Sequence, residues 1–124
     1  MKVGSPIWHC KRTSSEGADI ITYGSPTKYI TSFHYITVQP TSLNASKSDI
    51  YTTESYGEQI LDGWNVVCNL DKFDGVFKPG DLMYVDGVTP PSSGTNGNNA
   101  NAIVTRVTYQ NRAMFVTLRK IEGT

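Results

Sequence analysis

The sequence has little of the chemistry that enzymes and metal sites require. It contains two cysteines and two histidines among 124 residues. Cys10 and Cys68 lie far apart without a CxxC partner, a spacing that matches no zinc site and favours two buried free thiols over a single disulfide. The motifs GxSxG, GxxxxGK[ST] and HExxH are absent from the sequence. We therefore predict a protein that is not an enzyme and holds no metal or other cofactor.

Neither a charge excess nor a long apolar run is present. Eleven Lys and Arg balance eleven Asp and Glu, so the chain lacks the basic excess on which independent binding to nucleic acids or membrane surfaces depends. No run approaches a transmembrane span, and the opening MKVGSPIWHCKR has no apolar stretch of signal-peptide length. We expect an intracellular chain without a membrane partner.

Alternation of apolar and polar residues with a period of two dominates the chain. Hydrophobic residues make up 38% of the sequence, enough for the core of a single domain over residues 1–124. The alternating runs are 7–11, 20–23, 29–38, 64–70, 82–88, 102–109 and 113–121. They are rich in β-branched and aromatic residues, as strands are. Because no window has a strong helical period, the sequence predicts an all-β fold, either a small barrel or a sandwich.

The most informative short string is FKPGDLMYVDG at 77–87. Proline fixes φ at position 79, and glycine removes the steric restriction on the backbone at position 80. Gly80 and Asp81 therefore predict a turn before a strand that includes Tyr84. A Gly-Asp turn, an alternating strand and a second glycine recur in SH3-like barrels, where the first glycine lets the chain enter a strongly curved strand. The string favours this architecture and carries no information about function.

Three further patterns locate the core and the last turn. Trp64 and Val66 share one face of the 64–70 run, where we expect them to anchor the core. Residues 110–112 are short enough for a tight hairpin in which Asn111 takes a positive φ. His9 and Cys10 are neighbours on a strand and therefore point to opposite faces, which prevents them from acting together.

The polar stretch 39–63, QPTSLNASKSDIYTTESYGEQILDG, is the segment to which we assign the function. Compact domains rarely contain connections longer than about 12–15 residues unless function, a partner or disorder explains them. One lysine, Lys47, stands against four carboxylates, a net charge of −3 in a neutral chain. Residues 49–53 are β-prone but too polar to bury themselves, and 54–61 is the candidate for a helical turn. Two hypotheses remain: ordering by neighbouring copies, or a solvated loop with a short edge strand.

A second loop, 90–101, reads PPSSGTNGNNAN and is low in both complexity and apolar content. Such a composition predicts a flexible surface loop. An insertion without a role is the alternative.

The order of these features resembles the head-closure proteins, also called stopper or head-completion proteins, of long-tailed bacteriophages. The shared features are an early His/Lys/Arg strand at 9–12 and an aromatic strand ending in Val-Gln-Pro at 38–40. A polar stretch with Tyr-Gly-Glu at 56–58, a strand, a Gly-Asp turn at 80–81 and a final hairpin follow. The resemblance covers nearly the whole chain through short motifs in a fixed order.

The resemblance implies a small β-barrel whose copies form a ring beneath the portal and adaptor rings of the phage neck, twelvefold like the portal. It implies that the loop after the Val-Gln-Pro strand projects into the channel and retains packaged DNA until the tail attaches. The remaining surface would contact the adaptor protein on one side and the tail terminator protein on the other. The protein would reside in the virion, and in the host cytoplasm during assembly.

Carried over to this sequence, the segment in the channel is 41–62, and Tyr51 and Tyr56 are packing residues of the closed gate. An acidic lumen repels phosphate, so double-stranded DNA would pass without sequence-specific contacts. The isolated protein is expected to be a monomer, since a ring built on a template need not be stable alone. The predicted gate residues are Lys47, Asp49, Ile50, Tyr51, Thr52, Thr53, Glu54, Tyr56, Gly57 and Glu58.

Two alternatives remain. The chain could have another structural role in the virion, as an adaptor, a subunit like a tail terminator, or a capsid decoration protein. It could also be an SH3- or OB-like module that binds a peptide or a single-stranded nucleic acid. That module needs exposed aromatic residues with basic neighbours, and Tyr29, Phe33 and Tyr35 have Lys28 beside them in the sequence.

Overall fold

Seven strands form one antiparallel sheet in a computed structural model of the chain, which describes residues 3–14, 17, 19–40 and 63–121. The strands are β1 (Pro6–Cys10), β2 (Thr27–Ile30), β3 (Ile36–Pro40), β4 (Gly63–Asn69), β5 (Leu82–Tyr84), β6 (Ala102–Gln110) and β7 (Ala113–Lys120), and the helix is α1 (Leu70–Phe73). Their order is β2-β1-β5-β6-β7-β4-β3, and the sheet is not closed. The all-β prediction is confirmed. No helix within these ranges is long and apolar enough to span a membrane.

The two end strands of the sheet, β2 and β3, are consecutive in the chain. Residues 31–35 connect them, and an isolated bridge pairs Ser32 with Ile36. In a flat seven-stranded sheet the end strands would lie about 29 Å apart, whereas a connection of this length spans at most about 21 Å. The sheet must therefore curl, bringing β2 and β3 towards each other.

The inner face of the curled sheet holds the main core. Tyr29 of β2 packs edge-on against Phe73 of α1 with ring centroids 5.5 Å apart, so the helix after β4 contacts the far end of the sheet. All strands except β2 contribute fully buried side chains to this core. Those buried members are Ile7, Ile36, Val38, Trp64, Val66, Cys68, Phe73, Phe77, Met83, Val85, Ala102, Val104, Met114, Val116 and Leu118. Burial of this apolar surface provides most of the driving force for folding.

A smaller apolar cluster covers the outer face of β1 and β5. Its buried members are Cys10, Leu82, Tyr84 and Ala100, the last of which belongs to the 90–101 loop. The Tyr84 hydroxyl donates to the Asn98 carbonyl at 2.6 Å, and the Asn101 side chain exchanges two 2.9 Å hydrogen bonds with the Val85 backbone. The second half of the loop is thus anchored to the sheet, while residues 91–96 are exposed. The flexibility predicted for the loop stays a prediction for that exposed half.

Local turn chemistry matches the prediction at two sites. The Asp81 amide donates to the Lys78 carbonyl at 3.1 Å, and Gly80 has φ +97, the positive value that a type II turn requires after proline. Asn111 has φ 54 in the tight connection between β6 and β7. The strand predicted at 82–88 is shorter, because Asp86 has φ 57 and turns the chain away.

The single strand predicted for 29–38 is wrong. The chain turns at 33–35, so Tyr29 lies at the core whereas Phe33 is 80% exposed and does not share its face. The run 20–23 is not a strand either; Tyr23 makes one isolated bridge, to Arg12. The short helix α1 was not predicted, although its cap is ordinary: the Asn69 side chain accepts the Asp71 amide at 2.9 Å.

Candidate interaction surfaces

The predicted site residues divide between the interior and the part of the chain outside the described ranges. All the gate residues fall within 41–62, outside those ranges. The predicted core and turn residues are Trp64, Val66, Gly80, Asp81 and Tyr84. Four of these five side chains are buried, and Gly80 occupies the turn before β5. They support the fold, so the surfaces available to partners lie elsewhere.

A buried His–Asp contact fastens β1 to the turn before β5. His9 Nε2 lies 2.7 Å from Asp81 Oδ2, and the two side chains are 4% and 2% exposed. The same carboxylate accepts the backbone amides of Arg12 at 2.9 Å and Lys78 at 3.0 Å. Burial raises the pKa of Asp81, but the hydrogen bonds from His9 and from the two amides outweigh burial and leave that pKa lowered. Because solvent scarcely reaches either side chain, we assign the pair a structural role.

Asp81 makes the free energy of unfolding depend on pH in acidic solution. Because its pKa in the folded protein lies below the ordinary 3.8, its contribution is complete above that value and is lost as the pH falls through the lowered pKa. We expect the free energy of unfolding to fall as the pH drops below about 4, and to fall less steeply in Asp81→Asn, where this group does not titrate. Urea unfolding across that range measures both slopes. Parallel curves for the two proteins would contradict the assignment.

Both cysteines are free and buried, as predicted. Cys68 belongs to the inner core and Cys10 to the outer cluster, so the sheet separates them. Burial raises the pKa of both thiols, that of Cys68 to about 12. Since the thiolate is the reactive form, neither cysteine is a nucleophile at neutral pH.

An open cleft of about 600 Å³ lies beside the Asp81 turn. Its lining residues are Lys11, Arg12, Ser14, Lys78, Pro79, Gly80 and Asp81. Three of these side chains are cationic, and the Asp81 carboxylate accepts hydrogen bonds from the donors described above. The cleft therefore presents positive charge. Strand register places this cleft where β1 ends and β5 begins, at the opposite end of the strands from Pro40 and Gly63, which bound the 41–62 segment.

Residues 12–14 and 19–23 form the two paired arms of a hairpin, called the 12–23 hairpin, that extends the same end of the sheet beyond β1. The Thr13 amide donates to the Thr22 carbonyl at 2.9 Å, and the two threonine hydroxyls are 2.7 Å apart. Near its tip Ile20 and Ile21 are 74% and 53% exposed. Two adjacent isoleucines held in solvent by a hydrogen-bonded hairpin form a pre-shaped apolar contact point.

An apolar groove of about 330 Å³ lies at the same end of the strands, on β3, β4 and β7 rather than on β1 and β5. Phe33 and Tyr35 of the β2–β3 connection form one side, and the junctions of β3, β4 and β7 form the other. Lys72 Nζ lies 4.2 Å from the centre of the Tyr35 ring, and Arg112 lines the groove. The position of these two cations beside the aromatic residues could not be predicted from the sequence, because contacts between strands bring them there.

The described residues contain neither a metal-binding cluster nor a buried polar side-chain atom without a hydrogen-bond partner. Among them, no three His, Cys, Asp or Glu side chains come together as a metal site would require. Each buried side-chain nitrogen or oxygen in these ranges has a hydrogen-bond partner, so no orphaned polar group awaits a ligand. The chain matches no protein-family model, no curated protein and no solved structure.

Proposed function

We propose that this protein is a head-closure protein of the neck of a long-tailed bacteriophage, built on an SH3-like curled barrel and assembled as a ring. The observation that carries the proposal is a pair of different apolar surfaces on one sheet, the exposed Ile20 and Ile21 beyond β1 and the groove where β3, β4 and β7 meet. A subunit with two unlike contact surfaces associates head to tail, and head-to-tail contacts close into rings when the rotation permits. The order of sequence motifs independently favours the same family.

In this proposal the ring docks beneath the portal and adaptor proteins and offers its other side to the tail terminator protein. The acidic segment 41–62 lies at the channel and gates the passage of double-stranded DNA. The positive cleft formed by Lys11, Arg12 and Lys78 is a contact surface for an acidic patch on a neighbouring ring, because it lies on the rigid part of the fold. The ring forms on its template, and the free protein is a monomer.

Retention of DNA by phage heads tests the proposal. Heads filled with DNA in the absence of this protein should leak, and addition of the purified protein should make their DNA resistant to nuclease and permit tail attachment. The matched control replaces residues 44–59 with a short Gly/Ser linker, which should bind the heads without retaining DNA. Leakage that persists with the intact protein would refute the proposal. Images that place the protein on the capsid faces would identify a decoration protein instead.

The acidic gate is expected to keep DNA from adhering to the channel. Replacing Asp49, Glu54 and Glu58 with lysine reverses the charge of each copy's segment, so we expect ejection to slow several-fold at low salt. The effect should weaken near physiological salt, where the screening length is about 8 Å. Light scattering or dye fluorescence during triggered ejection measures the rate.

A matched control carries the same kind of charge reversal outside the gate. Asp71→Lys with Asp74→Lys changes two exposed carboxylates near α1. This control should eject DNA at the wild-type rate. Unchanged kinetics in the gate variant, or equal slowing in both, would count against an electrostatic role of the segment.

A single-stranded nucleic-acid module is the second candidate, because the structure adds cations beside exposed aromatic residues. Lys72 and Arg112 adjoin Tyr35 and Phe33 at the groove, an arrangement in which bases stack and phosphates pair. Tyr29 packs against Phe73, so it is not one of the exposed aromatic residues that such a module needs. Filter binding of single-stranded DNA at low and high salt decides the matter: salt-sensitive binding that is lost in Phe33→Ala supports the module, and no retention supports the neck protein.

A further inference from the structure

We infer that the exposed isoleucines of the 12–23 hairpin in one copy of this chain seat in the apolar groove beside Phe33 in the next copy. Asp19, Ile20 and Ile21 are called the knob below. The inference rests on the proposed ring and names the contact that closes it. The occupant of the groove is therefore a second copy of this chain.

The knob is a pre-formed apolar projection. Ile20 and Ile21 expose 74% and 53% of their surface. The backbone bond between Thr13 and Thr22 and the contact between their hydroxyls hold the arms of the hairpin together. Since the knob is already ordered, a partner that buries it loses little conformational entropy in doing so.

The groove offers apolar surface of matching size. Phe33 is 80% exposed at its rim, and Tyr35, Val67 and Ala113 line it. Its volume of about 330 Å³ is at the lower end of the range for ligand pockets. A shallow apolar groove of this size accommodates a pair of aliphatic side chains rather than a folded segment.

Charge is complementary across the proposed contact. Asp19 adjoins the two isoleucines and is exposed, whereas Arg112 lines the groove and Lys72 lies over the Tyr35 ring. An acidic knob and a basic groove favour each other and disfavour groove-to-groove pairing, in which like charges meet. This complementarity is the reason for choosing the knob of a second copy over an unrelated apolar partner.

The placement of the two surfaces determines the kind of assembly. Register from β1 through β5, β6 and β7 to β4 and β3 puts the hairpin and the groove at the same end of the strands, with the hairpin beyond β1 and the groove on β7, β4 and β3. The two surfaces are therefore unlike and lie on different strands. A contact between unlike surfaces repeats from copy to copy and yields a ring, whereas a self-complementary surface would yield a twofold dimer. Two isoleucines and a small groove bury far less than the roughly 1,200–2,000 Å² of a stable interface. We therefore expect the contact to hold only when many copies gather on the head.

Cysteine cross-linking tests the contact. The native thiols are buried, so introduced cysteines react selectively. A chain with Ile20→Cys and Phe33→Cys, bound to DNA-filled heads and treated with a short bismaleimide, should give a ladder of covalent oligomers. The matched control joins Ile20→Cys with Tyr109→Cys, a position that is 56% exposed elsewhere on the surface. We expect about tenfold less multimer from the control, because that pair is not held together.

A charge exchange provides a second readout that does not depend on cross-linking. Asp19→Arg alone and Arg112→Asp alone should each weaken assembly on the heads, and the double variant should restore it. A ladder of equal yield from the control pair, or a double variant no better than the singles, would overturn the inference. If heads retain their DNA with the wild-type protein while the knob and groove cysteines fail to cross-link, the contact is wrong and the proposed function stands. If the ladder forms but DNA still leaks, the contact stands and the proposed function fails.

Discussion

Replacing Asp81 with alanine is expected to lower the free energy of unfolding by about 3–5 kcal/mol, because the change removes a buried carboxylate that accepts three hydrogen bonds. The carboxylate accepts hydrogen bonds from His9 and from the amides of Arg12 and Lys78, and alanine removes this acceptor from all three. Each buried donor that loses its partner costs about 1–3 kcal/mol. Urea unfolding followed by tryptophan fluorescence at neutral pH measures the loss, with the slope in denaturant reporting whether the folded state stays compact.

Asp74→Asn is the matched control, because Asp74 is exposed just beyond α1. A surface change of this kind usually alters stability by less than about 0.5 kcal/mol. His9→Leu removes one donor and leaves the two backbone amides paired, so it should cost less than Asp81→Ala. Should Asp81→Ala cost no more than the control, the carboxylate would not be the support on which β1 and the turn before β5 depend.

Local turn chemistry could be predicted from the sequence because each turn is specified by a few adjacent residues. Pro79 and Gly80 set the backbone angles of a type II turn without help from the rest of the chain. Asn111 tolerates the positive φ of a tight hairpin for a similar reason, since its short polar side chain forms local hydrogen bonds. The alternation from Trp64 to Cys68 likewise fixes which side of β4 faces the core.

The break between β2 and β3 could not be predicted in this way. Residues 29–38 are β-prone throughout, and nothing local shows that the chain turns at 33–35. In β2 the odd-numbered Tyr29 faces the core, whereas in β3 the even-numbered Ile36 does. This change of alternation can be recognised only once the rest of the sheet defines which face is the inner one. The helix Leu70–Phe73 is too short to show a helical period, so its cap residue was the sole local signal.

The candidate surfaces depend on contacts between distant parts of the chain. His9 and Asp81 are 72 positions apart, so Asp81 could be predicted as a turn residue but its partner could not. Lys72 and Arg112 reach the Tyr35 side of the groove through the pairing of β4 with β3 and β7. Composition showed a neutral chain, but only the fold separates its charges into a basic cleft, a basic groove and an acidic knob.

Substitution of Gly63 by alanine is expected to destabilise the protein by about 3 kcal/mol, at the upper end for overpacking a buried site. A Cβ on Gly63 would be directed at the carbonyl oxygen of Leu118 and would lie 3.0 Å from the Leu118 carbonyl carbon, so backbone rather than a flexible side chain must move. Gly63 begins β4 and pairs with Arg119 of β7, in the region where β4 connects to the 41–62 segment. The absence of a side chain thus allows two backbones to approach closely beside the predicted gate.

The matched control for Gly63→Ala is Gly24→Ala. There the added Cβ would meet the Lys11 carbonyl oxygen and a Thr13 methyl group at an ordinary 3.7 Å. The control should be neutral or stabilising by about 0.4–1 kcal/mol, since alanine restricts the unfolded chain more than glycine does. Thermal and urea unfolding of both variants measure the difference. An equal effect of the two substitutions would show that the close approach of two backbones is not the reason why position 63 requires glycine. Loss of stability in Gly63→Ala with faster amide exchange at the start of β4 would locate the strain at the base of the segment, because local opening precedes global unfolding where contacts are weakest.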